Sequence, residues 1–102
     1  MPFWTDKNVV VTGGSGFLGQ FVVKELKKKK CKNVFSPRKK QYDLRQLGDI
    51  KKLLKEKKPD IIIHLAAVVG GIGANRERPG EFFYDNLIMG VELIEQSRLL
   101  GV

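Results

Sequence analysis

Between Val9 and Gly19 the chain reads VVVTGGSGFLG, a β-branched run that meets four glycines and passes straight into an apolar helical period. A strand that enters a helix within two or three residues needs backbone conformations that only glycine adopts easily, and Gly13 and Gly14 stand where that turn must be made. Gly16 stands where the first helical turn opens, and the absence of a Cβ lets a phosphate approach backbone N–H groups at the positive end of the helix dipole. Gly19, one turn on, allows the helix to lie close to the neighbouring strand. The spacing satisfies GxGxxG as Gly14, Gly16, Gly19 and TGxxGxxG as Thr12, Gly13, Gly16, Gly19.

A mononucleotide loop of the GxxxxGK[ST] type is excluded, because Gln20 and Phe21 occupy the positions of the lysine and the hydroxyl that such a loop requires. What remains is a dinucleotide turn, with Gly13, Gly14, Ser15, Gly16, Phe17, Leu18 and Gly19 as its candidate contacts. Discrimination between dinucleotides rests on the tip of the second strand. An acid there accepts hydrogen bonds from a ribose 2′-hydroxyl, whereas a 2′-phosphate needs cations. The tip reads Ser36, Pro37, Arg38, Lys39, Lys40, with no acid before Asp43, which favours NADP(H). The planar fork of Arg38 makes it the principal reader of the 2′-phosphate, with Ser36 as a neutral donor beside it.

The rest of the chain continues the alternation. Strands are expected at Asn8 to Thr12, Asn33 to Phe35 and from Ile61 to Leu65. Helices are expected where apolar residues recur at helical spacing, as Phe17, Leu18, Phe21, Val22 and Leu26, then Leu47, Ile50, Leu53 and Leu54, then Phe83, Leu87, Val91 and Ile94. Asp43 and Gln46 have the spacing of an N-cap with its reciprocal partner, Gly101 has the place of a helix stop, and Ala66 to Gly73 reads as a loop. Strand, helix, strand, helix, strand, helix implies an α/β fold: a Rossmann-type doubly wound parallel sheet with helices on both faces. A further strand is expected after the last helix, so residues 1–102 are expected to be the truncated, N-terminal part of a single NADP-binding Rossmann domain, with the isoleucine strand at an open edge.

Composition narrows the function classes. At 42% hydrophobic and 29% charged the chain is a globular domain, and it has no apolar run near the roughly 20 residues of a membrane span and no secretion signal, so a cytoplasmic location is expected. Cys31 has no second thiol with which to form a disulfide or a metal site. Between Lys24 and Lys58 stand fifteen Lys or Arg against four acids, within a chain of net charge +8. That block lacks the interleaved aromatics of nucleic-acid binders and reads as solvated helix surface, so neither nucleic acid nor membrane is expected as a partner. His64, flanked by apolar residues, reads as a satisfied strand residue.

TGGSGFLG at Thr12 to Gly19, YDLR at Tyr42 to Arg45, HLAAVVGGIGAN at His64 to Asn75 and PGEFFYDN at Pro79 to Asn86 resemble the N-terminal part of the GDP-L-fucose synthases, a family of extended short-chain dehydrogenase/reductases. The resemblance covers nearly the whole chain. It implies an NADPH-dependent epimerase and reductase that converts GDP-4-keto-6-deoxy-D-mannose to GDP-L-fucose and acts as a homodimer. It also implies adenine-side contact at Asp43 and Leu44, contact near the nicotinamide half at Ala66 and Ala67, and a substrate cleft shaped by Gly70, Gly71, Ile72 and Asn86. The family reduces its keto group with a tyrosine four residues before a lysine. Here Tyr42 is followed at that interval by Gln46 and Tyr84 by Ile88, so no catalytic residue is nominated, nor any metal ligand. Another nucleotide-sugar epimerase or dehydratase, or a non-catalytic NADP-binding module, remains as an alternative.

Overall fold

The computed structural model describes residues 3–67 and 77–102, in the order β1 (Asn8–Thr12), α1 (Phe17–Lys28), β2 (Asn33–Phe35), α2 (Leu47–Lys57), β3 (Ile61–His64) and α3 (Pro79–Leu100). The three strands form one parallel sheet in the order β2-β1-β3. The register pairs Val9 with Val34 on one side of β1 and with Ile61 on the other. Because β1 is central, Val9, Val10, Val11 and Thr12 are at most 1% exposed, which is why this strand is an unbroken β-branched run instead of an alternating one.

Successive β1 side chains point to opposite faces and seed separate cores. Val10 joins Ile50, Leu53 and Leu54 of α2 and Met89 and Leu93 of α3, whereas Val9 and Val11 join Leu26 of α1 with Val22, Val23 and Trp4 packed around them. Helices therefore cover both faces of the sheet; the first crossover, through α1, carries the chain from β1 to β2, and the second, through α2, returns it past β1 to β3 on the other side. This is the doubly wound, Rossmann-type arrangement. Its topological switch point lies at the carboxyl end of β1, where ligands of such sheets bind.

Two helices pack only part of their apolar residues against the sheet. On α1, Phe17, Leu18 and Phe21 are 85%, 59% and 60% exposed, and the side toward the sheet is Gly19 and Leu26, both buried, with Val22 and Val23 partly buried beside them. On α3, Phe83, Leu87, Val91 and Ile94 face outward, while Met89 and Leu93 enter the core. Both helices carry apolar residues on more than one side, and the side that permits the closest approach wins. For α1 that is the glycine side. For α2 the expected stripe of Ile50, Leu53 and Leu54 is the buried one, with Leu47 left partly exposed.

The expected cap at Asp43 and Gln46 does not form: α2 opens at Gln46 with no side-chain cap. The Asp43 carboxylate turns instead to Arg45, and the Asp43 N–H donates to Asp49 Oδ2 at 2.9 Å. A guanidinium two residues away offers a charged bidentate partner that outcompetes a backbone N–H. At the other end, Gly101 in the left-handed region closes α3 as expected. Among the described residues no helix is long and apolar enough to cross a membrane.

Candidate dinucleotide cleft

The turn after β1 is built by three glycines with three different jobs. Gly13 has φ +74°, and a Cβ there would lie 2.8 Å from the Ala66 nitrogen, so it supplies both the left-handed conformation and the approach of the β3 loop. Gly14 has ordinary backbone angles, and a Cβ on it would overlap the Ser36 hydroxyl. A Cβ on Gly19 would overlap the carbonyl oxygen of Gly13, so α1 is seated on the turn itself. Gly16 differs. A Cβ there would meet only the Gly13 oxygen, at an ordinary 3.4 Å, so nothing in the described protein requires glycine at this position.

Gly16 is the N-cap of α1, with φ −74° and ψ 174°, and no side chain caps the helix and no acid occupies its first turn. Among the described residues the first-turn N–H groups have no side-chain acceptor, and they sit at the positive end of the dipole, the arrangement in which helices hold phosphate. In front of them lies a cleft of about 490 Å³, lined by Gly13, Ser15 and Gly16 on the turn, by Pro37, Arg38 and Lys39 after β2, by Tyr42, Asp43, Leu44 and Arg45 before α2, and by Leu65, Ala66, Ala67 and Met89.

Of the residues nominated from the sequence, Gly13, Ser15, Gly16, Arg38, Asp43, Leu44, Ala66 and Ala67 meet at this cleft. Gly14 and Gly19 lie behind it as packing positions, and Ser36 abuts Gly14. The Phe17 and Leu18 side chains open α1 and stay exposed outside the lining. Asn86 is half-buried on α3, also outside the lining, and Gly70, Gly71 and Ile72 fall outside the described residues. Arg38 is exposed, and no ion pair engages its side chain among the described residues. Its carbonyl accepts the N–H groups of Gln41 and Tyr42, both at 2.9 Å, which bends the loop so that Arg38, Lys39 and residues 42 to 45 line one wall.

Sequence reasoning passed over Thr12 as a working residue. Its fully buried hydroxyl accepts the N–H groups of Leu65 (3.0 Å) and Ala66 (3.1 Å), leaving its proton for His64 Nδ1 at 2.6 Å. Thr12 thus ties the ends of β1 and β3 together and sets the loop that floors the cleft. Accepting at Nδ1 requires a neutral ring, and burial pushes the His64 pKa below its ordinary value, in the same direction. Arg45 was missed as well, although it stands in the same tetrapeptide as Asp43. The signal was available as an acid and an arginine two residues apart in a loop.

Residues 9–102 match the NAD dependent epimerase/dehydratase family. A GDP-L-fucose synthase of Sinorhizobium fredii is 38% identical over 104 residues, an alignment that takes in 100% of this chain and 33% of that protein. Among solved structures, a GDP-mannoheptose C4 reductase from Campylobacter jejuni with NADP bound superimposes with a TM-score of 0.87 at 28% identity, covering 96% of this chain and 31% of the other. A GDP-L-fucose synthetase from Naegleria fowleri bound to NADP does so with a TM-score of 0.80 at 30% identity, covering 96% and 29%. The chain thus spans about a third of the length of the relatives it matches.

Proposed function

The chain belongs to the NAD dependent epimerase/dehydratase family, and on that premise we propose that residues 1–102 are the NADP(H)-binding N-terminal part of a single Rossmann domain in a cytoplasmic epimerase-reductase of the GDP-L-fucose synthase kind. One observation carries the reading: an uncapped, glycine-opened helix N-terminus faces a cleft whose other wall presents Arg38 and Lys39. The dinucleotide's pyrophosphate would rest on the turn from Gly13 to Gly19, its 2′-phosphate at Arg38, its adenine side at Asp43 and Leu44, and its nicotinamide half toward Ala66 and Ala67. Bound there, the cofactor supplies hydride for reduction of a keto sugar. The sugar side of the cleft would be shaped by Gly70, Gly71, Ile72 and Asn86.

Reduction also needs a proton donor whose pKa is lowered toward neutrality. Tyr42 donates its hydroxyl to Glu56, and that hydrogen bond holds its pKa above the ordinary phenol value, the wrong direction for such an acid. The chain by itself is therefore proposed to bind cofactor without turning over. Calorimetric titration should give saturable NADPH binding, and addition of GDP-4-keto-6-deoxy-D-mannose should cause no NADPH oxidation. Absence of saturable binding would remove the cofactor reading; keto-sugar-dependent oxidation would remove the claim of catalytic incompleteness. The C4-reductase neighbour supports a second reading, in which the parent enzyme reduces a different GDP-sugar without epimerising it.

A homodimer is part of the same proposal. Phe83, Tyr84, Leu87, Val91 and Ile94 are each at least 50% exposed along α3, an apolar face of the kind that marks association. Sedimentation should be concentration-dependent, and Leu87→Glu should shift it to monomer. A monomer at every concentration would contradict the proposal.

A further inference from the structure

We propose that His64 is a positioning residue for the cofactor cleft: its neutral ring holds the Thr12 hydroxyl, and through it the floor at Leu65 and Ala66, and protonation of the ring releases that floor and weakens cofactor binding. The inference rests on the NADP(H) reading above and adds to it a proton-sensitive support that lies outside the lining.

A threonine hydroxyl has one proton to give and two lone pairs to fill. At Thr12 all three are engaged: the N–H groups of Leu65 and Ala66 donate to it at 3.0 and 3.1 Å, and its own proton meets His64 Nδ1 at 2.6 Å. Thr12 is fully buried, so its proton has no water to turn to. The imidazole therefore fixes the rotation of the hydroxyl, and that rotation aims the lone pairs at the floor. Leu65 N–H is shared with the Thr12 carbonyl at 3.1 Å, so among the described residues Ala66 is the group that depends on the hydroxyl alone. The floor has little slack on its other side. A Cβ on Gly13 would lie 2.8 Å from both the Ala66 nitrogen and the Leu65 carbonyl carbon, so the loop after β3 and the glycine turn pack backbone to backbone. A shift at Ala66 is felt at the turn proposed to hold the pyrophosphate.

Protonation reverses the part the ring plays. Imidazolium carries N–H on both nitrogens, so Nδ1 would present a donor to a hydroxyl that already donates toward it. Whichever group moves, the hydroxyl must find a new acceptor for its proton, and its lone pairs turn from Ala66. His64 is exposed, so a proton reaches the ring without opening the core. Thr12 and His64 are partners in register, and they share the sheet face on which Val10 meets α2 and α3. The charged groups at that end of the face are paired among themselves: Asp43 and Asp85 with Arg45, Glu81 with Arg78, and Asp49 with the Asp43 N–H. Neither these nor Arg38 and Lys39 of the cleft wall contribute to the His64 pKa, which burial alone lowers. With no acid to favour imidazolium, the ring is neutral at neutral pH, and the release falls below the ordinary imidazole value of about 6.5.

The test exploits the fact that the chain has a single histidine, so its ring signals are unambiguous. Long-range proton–nitrogen NMR should show Nδ1 without a proton at about pH 7.5, and the Ala66 amide should shift at the ring's own midpoint, more than the Leu65 amide does. NADPH is then titrated calorimetrically from about pH 7.5 to about pH 5 against wild type, His64→Asn and His64→Leu. The asparagine amide oxygen can take the Thr12 proton near the place of Nδ1 and does not titrate. Wild type and His64→Asn meet the same titrating 2′-phosphate, so the ratio of their affinities isolates the ring. That ratio should fall by up to about tenfold per pH unit below the midpoint, the linkage of one proton. His64→Leu offers no acceptor and should bind weakly across the range, and His64→Asn secures the test if the leucine variant unfolds. A flat ratio overturns the proposal, as does a ratio that rises in acid because imidazolium attracts phosphate, or a proton on Nδ1 at neutral pH. A wild-type chain that does not bind NADPH near neutrality defeats the parent reading; an Ala66 amide that ignores the ring's midpoint defeats this one whether or not cofactor binds.

Discussion

Gly19→Ala is expected to lower stability by about 3 kcal/mol or more, whereas Gly16→Ala, three residues earlier in the same turn, is expected to leave the fold intact and abolish most cofactor binding. A Cβ added at Gly19 would overlap the Gly13 carbonyl oxygen and lie 2.8 Å from the Gly14 Cα, all backbone atoms that cannot move without lifting α1 off the turn. For a domain of this size such a loss corresponds to a fall in Tm of roughly 10–20 °C. At position 16 the new methyl meets no closer protein atom than 3.4 Å, but it stands at the helix N-cap, where on the proposed reading phosphate oxygens would approach the first-turn N–H groups. The loss of one such charge-assisted contact, roughly 1.5–3 kcal/mol, is about one to two decades in affinity. Thermal unfolding and NADPH titration on the same two variants separate packing from binding. If Gly16→Ala melts like Gly19→Ala, or Gly19→Ala melts like wild type, the division of labour among the glycines is wrong.

Arg38→Ala is expected to remove most of a preference for NADPH over NADH worth roughly 1.5–3 kcal/mol, while changing NADH affinity little. The guanidinium is exposed at the cleft wall on a loop that the Arg38 carbonyl holds bent, so truncation of the side chain leaves the wall in place. NADH keeps the pyrophosphate contacts at the turn and α1 and has no 2′-phosphate to lose. Lys39, also in the lining, leaves room for a small residual preference as a point charge. Titrations of both cofactors must share one ionic strength, because a chain of net charge +8 attracts the more highly charged NADPH without any specific contact. An undiminished preference in the variant would mean that another residue reads the phosphate; an equal loss for both cofactors would mean a damaged fold.

The element order was legible because each signal was local. Three short apolar runs closed by Gly, Pro or His, the leucines of α2 and the glycine after α3 owe their behaviour to neighbours within one turn of chain. The glycine turn was legible for the same reason: a strand, four glycines and a helix in one stretch leave little freedom to the backbone. Less legible was which side of α1 and α3 meets the sheet, because apolar residues surround much of each helix. In α1 the stripe that meets the sheet runs Gly19, Val22, Val23, Leu26, a helical period in which the first member is a glycine and so carries no hydrophobic signal at all. In α3 the buried members are Met89 and Leu93, set by packing against α2 and not by the strength of the pattern.

By itself, then, the sequence determined an alternating parallel architecture and the place of its glycine turn between β1 and α1, because these follow from backbone conformations that few residues allow. Tertiary structure alone decided what each glycine is for, since the Gly13 carbonyl, the Ser36 hydroxyl and the Ala66 nitrogen reach the turn from different elements. It also decided that the Thr12 hydroxyl joins strand ends 52 residues apart, and that Asp43 answers to Arg45 and, through it, to Asp85 of α3 instead of capping α2. Each of these depends on distances that sheet closure creates. Side-chain partners chosen by proximity across the fold leave no periodicity in the chain from which they could be read.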